Sequence, residues 1–153
     1  MAEPRPLPLA LRLALASASG VLIFTSFPNW NLHFNTWFGL VPLLIAGRGT
    51  TVRQGIVLGL VAGTVTNAGG FYWITSMLEE FGHLPVPVAW SILGIQAVTQ
   101  GLTMAVGMGL WRYLVRCGAP VGRSAWLALW AGEVVVPMVF PWYMANGISH
   151  ELP

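Results

Sequence analysis

The stretch at residues 69–87, GGFYWITSMLEEFGHLPVP, joins two long apolar segments, and the rest of the chain is interpreted outward from it. No Lys, Arg, Asp or Glu occurs between Arg53 and Glu79, and none occurs between Glu80 and Arg112. Long uncharged apolar segments of this kind are typical of helices that cross a membrane. The stretch therefore predicts a transmembrane helical hairpin, with its acidic and aromatic turn on the non-cytoplasmic side.

The composition excludes an ordinary water-soluble domain. Hydrophobic residues make up 56% of the 153 residues and charged residues 8%, with a mean hydropathy of +0.70, whereas about a quarter of a soluble domain is charged. The apolar runs lack the alternation of barrel strands, so the predicted fold class is an all-α integral membrane protein. The net charge of +2 is too small for a nucleic-acid partner, and the single Cys117 excludes an intramolecular disulfide and a multi-cysteine metal site.

The apolar pattern predicts a bundle of about five transmembrane helices, the second of them short or kinked around Pro42. We expect a cytoplasmic N-terminus at 1–9, a transmembrane domain at 10–143 and a truncated extracytoplasmic tail at 144–153. The small residues at 16–18 also fit a signal-peptide cleavage site, but cleavage there would leave an exposed apolar end, which favours an uncleaved helix. The predicted spans are residues 10–27, 33–47, 54–78, 88–113 and 124–140.

The positions of the arginines predict how the bundle is oriented. With five spans, all seven arginines fall on one side of the membrane, and the chain contains no lysine. The connections on the other side carry Trp30, the adjacent Glu79 and Glu80, and Trp142. Because basic residues are retained on the cytoplasmic side, we predict a multi-pass protein with a cytoplasmic N-terminus and aromatic loops outside.

Glu133 is the one carboxylate predicted within a span. Placing a charged carboxylate there costs about 3 kcal/mol on insertion scales, so Glu133 either lines a polar cleft or is a hydrogen-bonded structural residue. Gly55, Gly59 and Gly63 recur every four residues and share one helix face. This spacing predicts close packing against another helix, within the chain rather than across a dimer interface.

Other polar residues have a structural interpretation that is favoured over a functional one. Gln96 and Gln100 share a helix face and are interpreted as interhelical hydrogen-bonding groups before they are interpreted as a site. Glu79 and Glu80 are interpreted as solvated loop residues rather than as a general acid and base. The histidines lack metal-ligand spacing and Cys117 lies in no nucleophile motif, so we expect neither a metal nor a cofactor.

Three pairs of motifs resemble the membrane domain of apolipoprotein N-acyltransferases. The first pair is NAGGFYWI at 67–74 followed by EFGHLPVP at 80–87. The second is FTSFP at 24–28 with WFGLVPLL at 37–44, and the third is WAGE at 130–133 with FPW at 140–142. The motifs occur in the family's order, and the resemblance extends from about residue 11 to residue 149.

The resemblance implies a bacterial inner-membrane protein of lipoprotein maturation. In this family an acyl chain passes from a phospholipid, through a thioester on an enzyme cysteine, to the N-terminal amine of S-diacylglyceryl-cysteine lipoproteins. The family's Glu-Lys-Cys triad belongs to an extracytoplasmic nitrilase-like domain, and this sequence has no lysine, so no catalytic residue is assigned. The family has Arg-Gly after the corresponding Glu, whereas Val134 follows Glu133 here, so the role of Glu133 stays open.

The resemblance also implies partners and a site. The expected partners are the phospholipid bilayer, a lipoprotein substrate and a nitrilase-like domain in cis or in trans. The candidate residues for a lipid cleft or domain-docking surface on the non-cytoplasmic side are Trp73, Glu133, Pro141, Trp142 and Tyr143. Of these we expect Trp73, Glu133, Trp142 and Tyr143 to lie near one another.

The main hypothesis is the membrane-embedded N-terminal part of an apolipoprotein N-acyltransferase, inactive on its own. The alternative is a non-catalytic membrane scaffold or lipid-binding protein. A transporter subunit is disfavoured, because a single intramembrane acid without a clear inverted repeat makes a poor pathway.

Overall fold

Seven helices follow one another along the described part of the chain, joined by short turns. The computed structural model describes residues 6–27 and 30–139, and no strand occurs within these ranges. The all-helical fold expected from the composition is therefore confirmed. The helices are α1 (Leu9–Phe24), α2 (Phe34–Phe38), α3 (Val41–Gly47), α4 (Val52–Gly70), α5 (Trp73–Glu80), α6 (Val86–Arg116) and α7 (Val121–Val139).

The predicted spans correspond to these helices unequally. The second segment is divided into α2 and α3, with Pro42 in the first turn of α3. The third is divided into α4 and α5, which meet at 50° rather than continuing as one helix. Of the described helices, only α6 is both long and apolar enough to cross a bilayer alone, and the bent pair α4–α5 is a second candidate. Shorter apolar stretches are α1 and the α2–α3 segment. The number of membrane spans therefore stays a prediction.

Local sequence signals set the ends of α4 and α6. Thr51 and Gln54 form a capping box, in which each side chain hydrogen-bonds the other residue's backbone N–H at the start of α4. At the end of α6, Gly118 has a φ of +89°, and its N–H donates to Val115 O while that of Ala119 donates to Leu114 O. This is a Schellman ending, in which a glycine takes the left-handed conformation that other residues avoid.

Helices α4 and α6 pack antiparallel with their backbones in contact. A Cβ at Gly63 would lie 2.7 Å from Gly101 Cα, and a Cβ at Gly59 would overlap the backbone of Met104 and Ala105. Nearer the start of α4, a Cβ at Gly55 would lie 2.7 Å from Arg112 Cγ. Residue numbers rise along α4 while those of the contacted residues on α6 fall, so the two helices are antiparallel. The glycines of α4 therefore form a packing seam within the chain.

Helix α1 lies parallel to α4 on its other side. Gly20 packs against Ala62 and Val65, and farther along the two helices Phe24 packs against Gly69. The hydroxyl of Ser19 donates to Gly39 O, which ties α1 to the turn between α2 and α3. The core that these helices share consists of apolar side chains, among them Ala16, Leu43, Leu58, Ala62, Met108 and Trp111.

The bundle has two chemically different ends. The first, called here the arginine end, is where α1, α4 and α7 begin and where α3 and α6 end. It carries every described arginine: Arg12, Arg48, Arg53, Arg112, Arg116 and Arg123. The opposite end, called here the aromatic end, carries exposed rings that include Trp30, Phe34, Trp37, Tyr72, Trp73 and Phe81.

Candidate functional site

Trp73 is the first residue of α5 and lies at the aromatic end. The break before it comes where Phe71 leaves helical geometry, with φ −111° and ψ 15°. Helix α5 then restarts with short-range bonds, since Ile74 N–H donates to Phe71 O and Thr75 N–H donates to Tyr72 O. The bend leaves Trp73 with 45% of its surface exposed, so its ring is available to lipid or to another domain.

Two phenylalanines from the end of α1 and the turn after it buttress this bend. A Cβ at Gly69 would overlap the ring of Phe24, and one at Gly70 would overlap the ring of Phe27. Phe27 also meets Phe71 edge-on, with ring centroids 6.1 Å apart, in the geometry that aromatic pairs prefer. The Gly69–Gly70 pair is therefore needed because aromatic side chains occupy the space that any larger residue would take.

The acidic C-terminal end of α5 leads into a surface turn. Glu80 and His83 are exposed, and Glu79 is half-buried. His83 has a φ of +50°, and the chain turns there through a bond from Leu84 N–H to Leu78 O. Glu79 and Glu80 are therefore the last two residues of a helix rather than loop residues, and of the two only Glu80 is exposed. Within residues 6–27 and 30–139, His, Cys, Asp and Glu form no group of three or more that could hold a metal ion.

Glu133 lies on α7, half-buried beside the seam with α6. The seam is formed by its neighbour Gly132, at which a Cβ would lie 2.5 Å from Thr103 O and 3.0 Å from Gly107 N. Glu133 is the next residue on α7 after this backbone contact at Gly132. The sequence singled out this residue, and the structure shows that the helix carrying it packs against α6.

Gln96 and Gln100 lie on the side of α6 that also carries Gly107 and faces α7. Gln100 is buried, with 4% of its surface exposed, and its Oε1 has no hydrogen-bond partner. Both polar side-chain atoms of Gln96 are likewise buried and unpartnered. The expected interhelical hydrogen bonds from Gln96 are therefore not formed within the described residues, and this side of α6 keeps unused hydrogen-bonding capacity.

The predicted cluster at the aromatic end is placed only in part. Trp73 and Glu133 belong to helices that both pack against α6. Pro141, Trp142 and Tyr143 lie outside the described residues, so the predicted proximity of Trp142 and Tyr143 to Trp73 and Glu133 stays a prediction. Gly55, Gly59 and Gly63 are buried and face α6, in the close helix contact for which their spacing is suited.

Two buried arginines were missed by the sequence interpretation, which used them only for topology. Arg12 and Arg112 expose 8% and 1% of their surfaces. Arg112 Nε donates to Thr50 O at 3.0 Å, and its guanidinium lies 5.5 Å from the centroid of the Trp111 ring. A signal was present, because Arg112 continues the spacing of Gly101, Ala105 and Met108 on the buried face of α6.

Comparison with known proteins connects this bundle to one family. Residues 19–152 match the family described as "Apolipoprotein N-acyltransferase N-terminal domain". The chain is 34% identical over 131 residues to an apolipoprotein N-acyltransferase of Geobacter metallireducens, covering 81% of this chain and 24% of that protein. It is 31% identical over 135 residues to apolipoprotein N-acyltransferase 2 of Leptospira interrogans, covering 84% of this chain and 22% of that protein.

The match covers most of this chain but only about a quarter of the length of these relatives. No solved structure is significantly similar to it. The family match includes the glycine seam, the bend before Trp73 and the helix that carries Glu133. The chain therefore belongs to the apolipoprotein N-acyltransferase N-terminal domain family.

Proposed function

We propose that this chain is the membrane-embedded N-terminal part of an apolipoprotein N-acyltransferase of the bacterial inner membrane. The observation that carries the proposal is the family match over residues 19–152. In this role the bundle crosses the membrane five times, with the arginine end in the cytoplasm. The aromatic end holds a nitrilase-like catalytic domain against the bilayer, where that domain meets phospholipid and the lipoprotein substrate.

The surface of the bundle supports a lipid environment. Trp126 and Trp130, both on α7, expose 80% and 69% of their surfaces. Large exposed apolar rings are unfavourable in water, and contiguous apolar surface marks a membrane or protein interface. Lipid chains around α7 would cover these rings, and the concentration of arginine at one end fits the retention of basic residues in the cytoplasm.

The residues present support a catalytic triad that lies in a separate domain rather than in the bundle. A thioester mechanism with a Glu-Lys-Cys triad needs a lysine, and these 153 residues contain none. Cys117 lies in the turn after α6, at the arginine end, on the opposite side of the bundle from Trp73. In the proposed function the chain therefore positions lipid and the catalytic domain, and the triad comes from that domain in cis or in trans.

An acyl-transfer assay tests this assignment. The purified chain is incubated with a labelled phospholipid and a diacylated lipopeptide, alone and together with the nitrilase-like domain of a relative. We expect no transfer by the chain alone and transfer when the domain is supplied. A domain in which the catalytic cysteine is replaced by alanine is the control, and it should give none.

Two results would contradict the proposal. Transfer by the chain alone would show that its own residues carry the chemistry. Binding of the domain without any transfer would favour the alternative of a non-catalytic membrane scaffold, since the bundle would then hold a partner without presenting lipid to it.

A further inference from the structure

The arginine end has a charge that the described residues do not balance. All six described arginines lie there. The described carboxylates are elsewhere, because Glu79 and Glu80 are the last two residues of α5 and Glu133 lies well along α7. Within residues 6–27 and 30–139, this end therefore presents cationic groups without a carboxylate among them.

Arg12 is a buried arginine of this end with an unpartnered side-chain nitrogen. Only 8% of its surface is exposed, and its Nε is buried without a hydrogen-bond partner in the structure. A buried cation without a partner is strongly unfavourable, so such groups are normally paired with an anion. Helical side chains lean toward the N-terminus of their own helix, which directs the guanidinium of Arg12 toward the outer surface of the arginine end.

The helix register brings Arg12 to the same depth as a second buried arginine. Gly20 packs against Ala62 and Val65 of the parallel α4, and Arg12 precedes Gly20 by about two helical turns. This register places Arg12 near the level of Gly55, at which a Cβ would lie 2.7 Å from Arg112 Cγ. Arg12 and Arg112 thus lie at one level, with α4 between the helices that carry them.

We propose that the arginine end contains a binding site for the headgroup of an anionic phospholipid, with Arg12 holding its phosphate. A guanidinium binds phosphate through two parallel N–H donors, which gives both strength and orientation. Basic pockets between helices at a membrane surface are suited to such headgroups. The site is separate from the proposed acyl transfer, which belongs to the aromatic end.

The apolar side chains around Arg12 favour a lipid over a free phosphate ion. Leu9 and Leu11 lie on the same turn of α1 as Arg12 and expose 60% and 47% of their surfaces. A buried guanidinium bordered by exposed aliphatic chains matches an amphipathic ligand that has a phosphate and acyl chains. A free phosphate would use the guanidinium and leave the aliphatic surface uncovered.

Native mass spectrometry of the full 153-residue chain in detergent tests the proposal. Phosphatidylglycerol and phosphatidylcholine are titrated separately, and each bound lipid gives an apparent Kd. We expect the wild-type chain to prefer phosphatidylglycerol about tenfold, because the choline ammonium of phosphatidylcholine cancels the charge of its phosphate and is repelled by the arginines of this end. Arg12→Gln should lose that preference. Arg53→Gln is the matched control, because Arg53 is an exposed arginine of the same end, and it should change the apparent Kd by less than about twofold.

Arg12→Lys keeps the test decisive if Arg12→Gln fails to fold. The ammonium retains the charge and loses the planar donor pair, so we expect the preference to fall several-fold without vanishing. An unchanged preference in either Arg12 variant would overturn the proposal, and so would equal binding of the two lipids by the wild-type chain. Displacement of phosphatidylglycerol by millimolar inorganic phosphate would show a free-anion site instead of a lipid site.

Discussion

At the scale of single residues, the contact between α4 and α6 depends on the absence of side chains. At Gly63 a Cβ would meet Gly101 Cα at 2.7 Å, and backbone atoms cannot move aside as a flexible side chain can. Gly94, on the same α6, has nothing within 4 Å of its Cβ position. The two positions separate the effect of packing from the effect of helix propensity.

We therefore predict opposite results for the same substitution at these two glycines. Gly63→Ala forces the helices apart and should lower the free energy of unfolding by about 1–3 kcal/mol. Gly94→Ala should leave it unchanged or raise it by up to about 1 kcal/mol, because alanine is the better helix former. Unfolding by SDS titration in mixed micelles measures both. Equal effects at the two positions would mean that the seam does not require glycine at Gly63.

The sequence could predict the glycines of the seam but not the burial of the arginines. Glycine at every fourth position has one geometric meaning on a helix, because this spacing places the small residues in a single row. An arginine near a helix end can be either exposed or largely buried, since its long apolar stem can lie inside while its head reaches water. The choice for Arg12 and Arg112 depends on neighbours from other helices, such as Gly55, which no local pattern specifies.

At the scale of helices, the bend between α4 and α5 is the feature that the apolar pattern did not predict. Hydrophobic residues continue across Phe71, Tyr72 and Trp73, so the sequence favours one helix through Leu78. The bend instead depends on the ring of Phe27, which comes from a turn more than forty residues earlier and occupies the space beside Gly70. Contacts between residues so far apart in sequence cannot be predicted from local hydropathy.

A double-mutant cycle tests whether Phe27 and Gly70 act together at this bend. Gly70→Ala alone should destabilise the bundle by about 1–3 kcal/mol, because its Cβ overlaps the ring. In a Phe27→Ala background the ring is gone, so the same change should be nearly neutral, giving a coupling energy of about 0.5–3 kcal/mol. Unfolding free energies of the four proteins in detergent provide the measurement.

Gly122→Ala supplies the matched cycle, since a Cβ at Gly122 has nothing within 4 Å. Combined with Phe27→Ala, its effect should be additive to within about 0.5 kcal/mol. Coupling of equal size in both cycles would indicate a general loosening of the bundle, and would remove the assignment of the bend to the Phe27 ring.

At the scale of the whole molecule, the separation of charge from aromatic surface defines the two ends. Six arginines gather where α1, α4 and α7 begin, whereas Trp30, Trp37 and Trp73 lie at the opposite end. The helices run alternately toward one end and the other, and the arginines fall at the end that the sequence pattern predicted. This segregation could therefore be predicted from the positions of the arginines. The side of the membrane that each end faces is a separate question, which a chemical label can answer.

Cys117 provides that label, because it is the one cysteine of the chain and its thiol is exposed at the arginine end. If this end faces the cytoplasm, a membrane-impermeant maleimide should leave Cys117 unmodified in intact cells and modify it after the membrane is permeabilised. In a Cys117→Ser background, Trp30→Cys at the aromatic end should show the reverse, with labelling in intact cells. Modification of Cys117 in intact cells would invert the bundle, and the aromatic end would then lie on the wrong side to hold an extracytoplasmic catalytic domain.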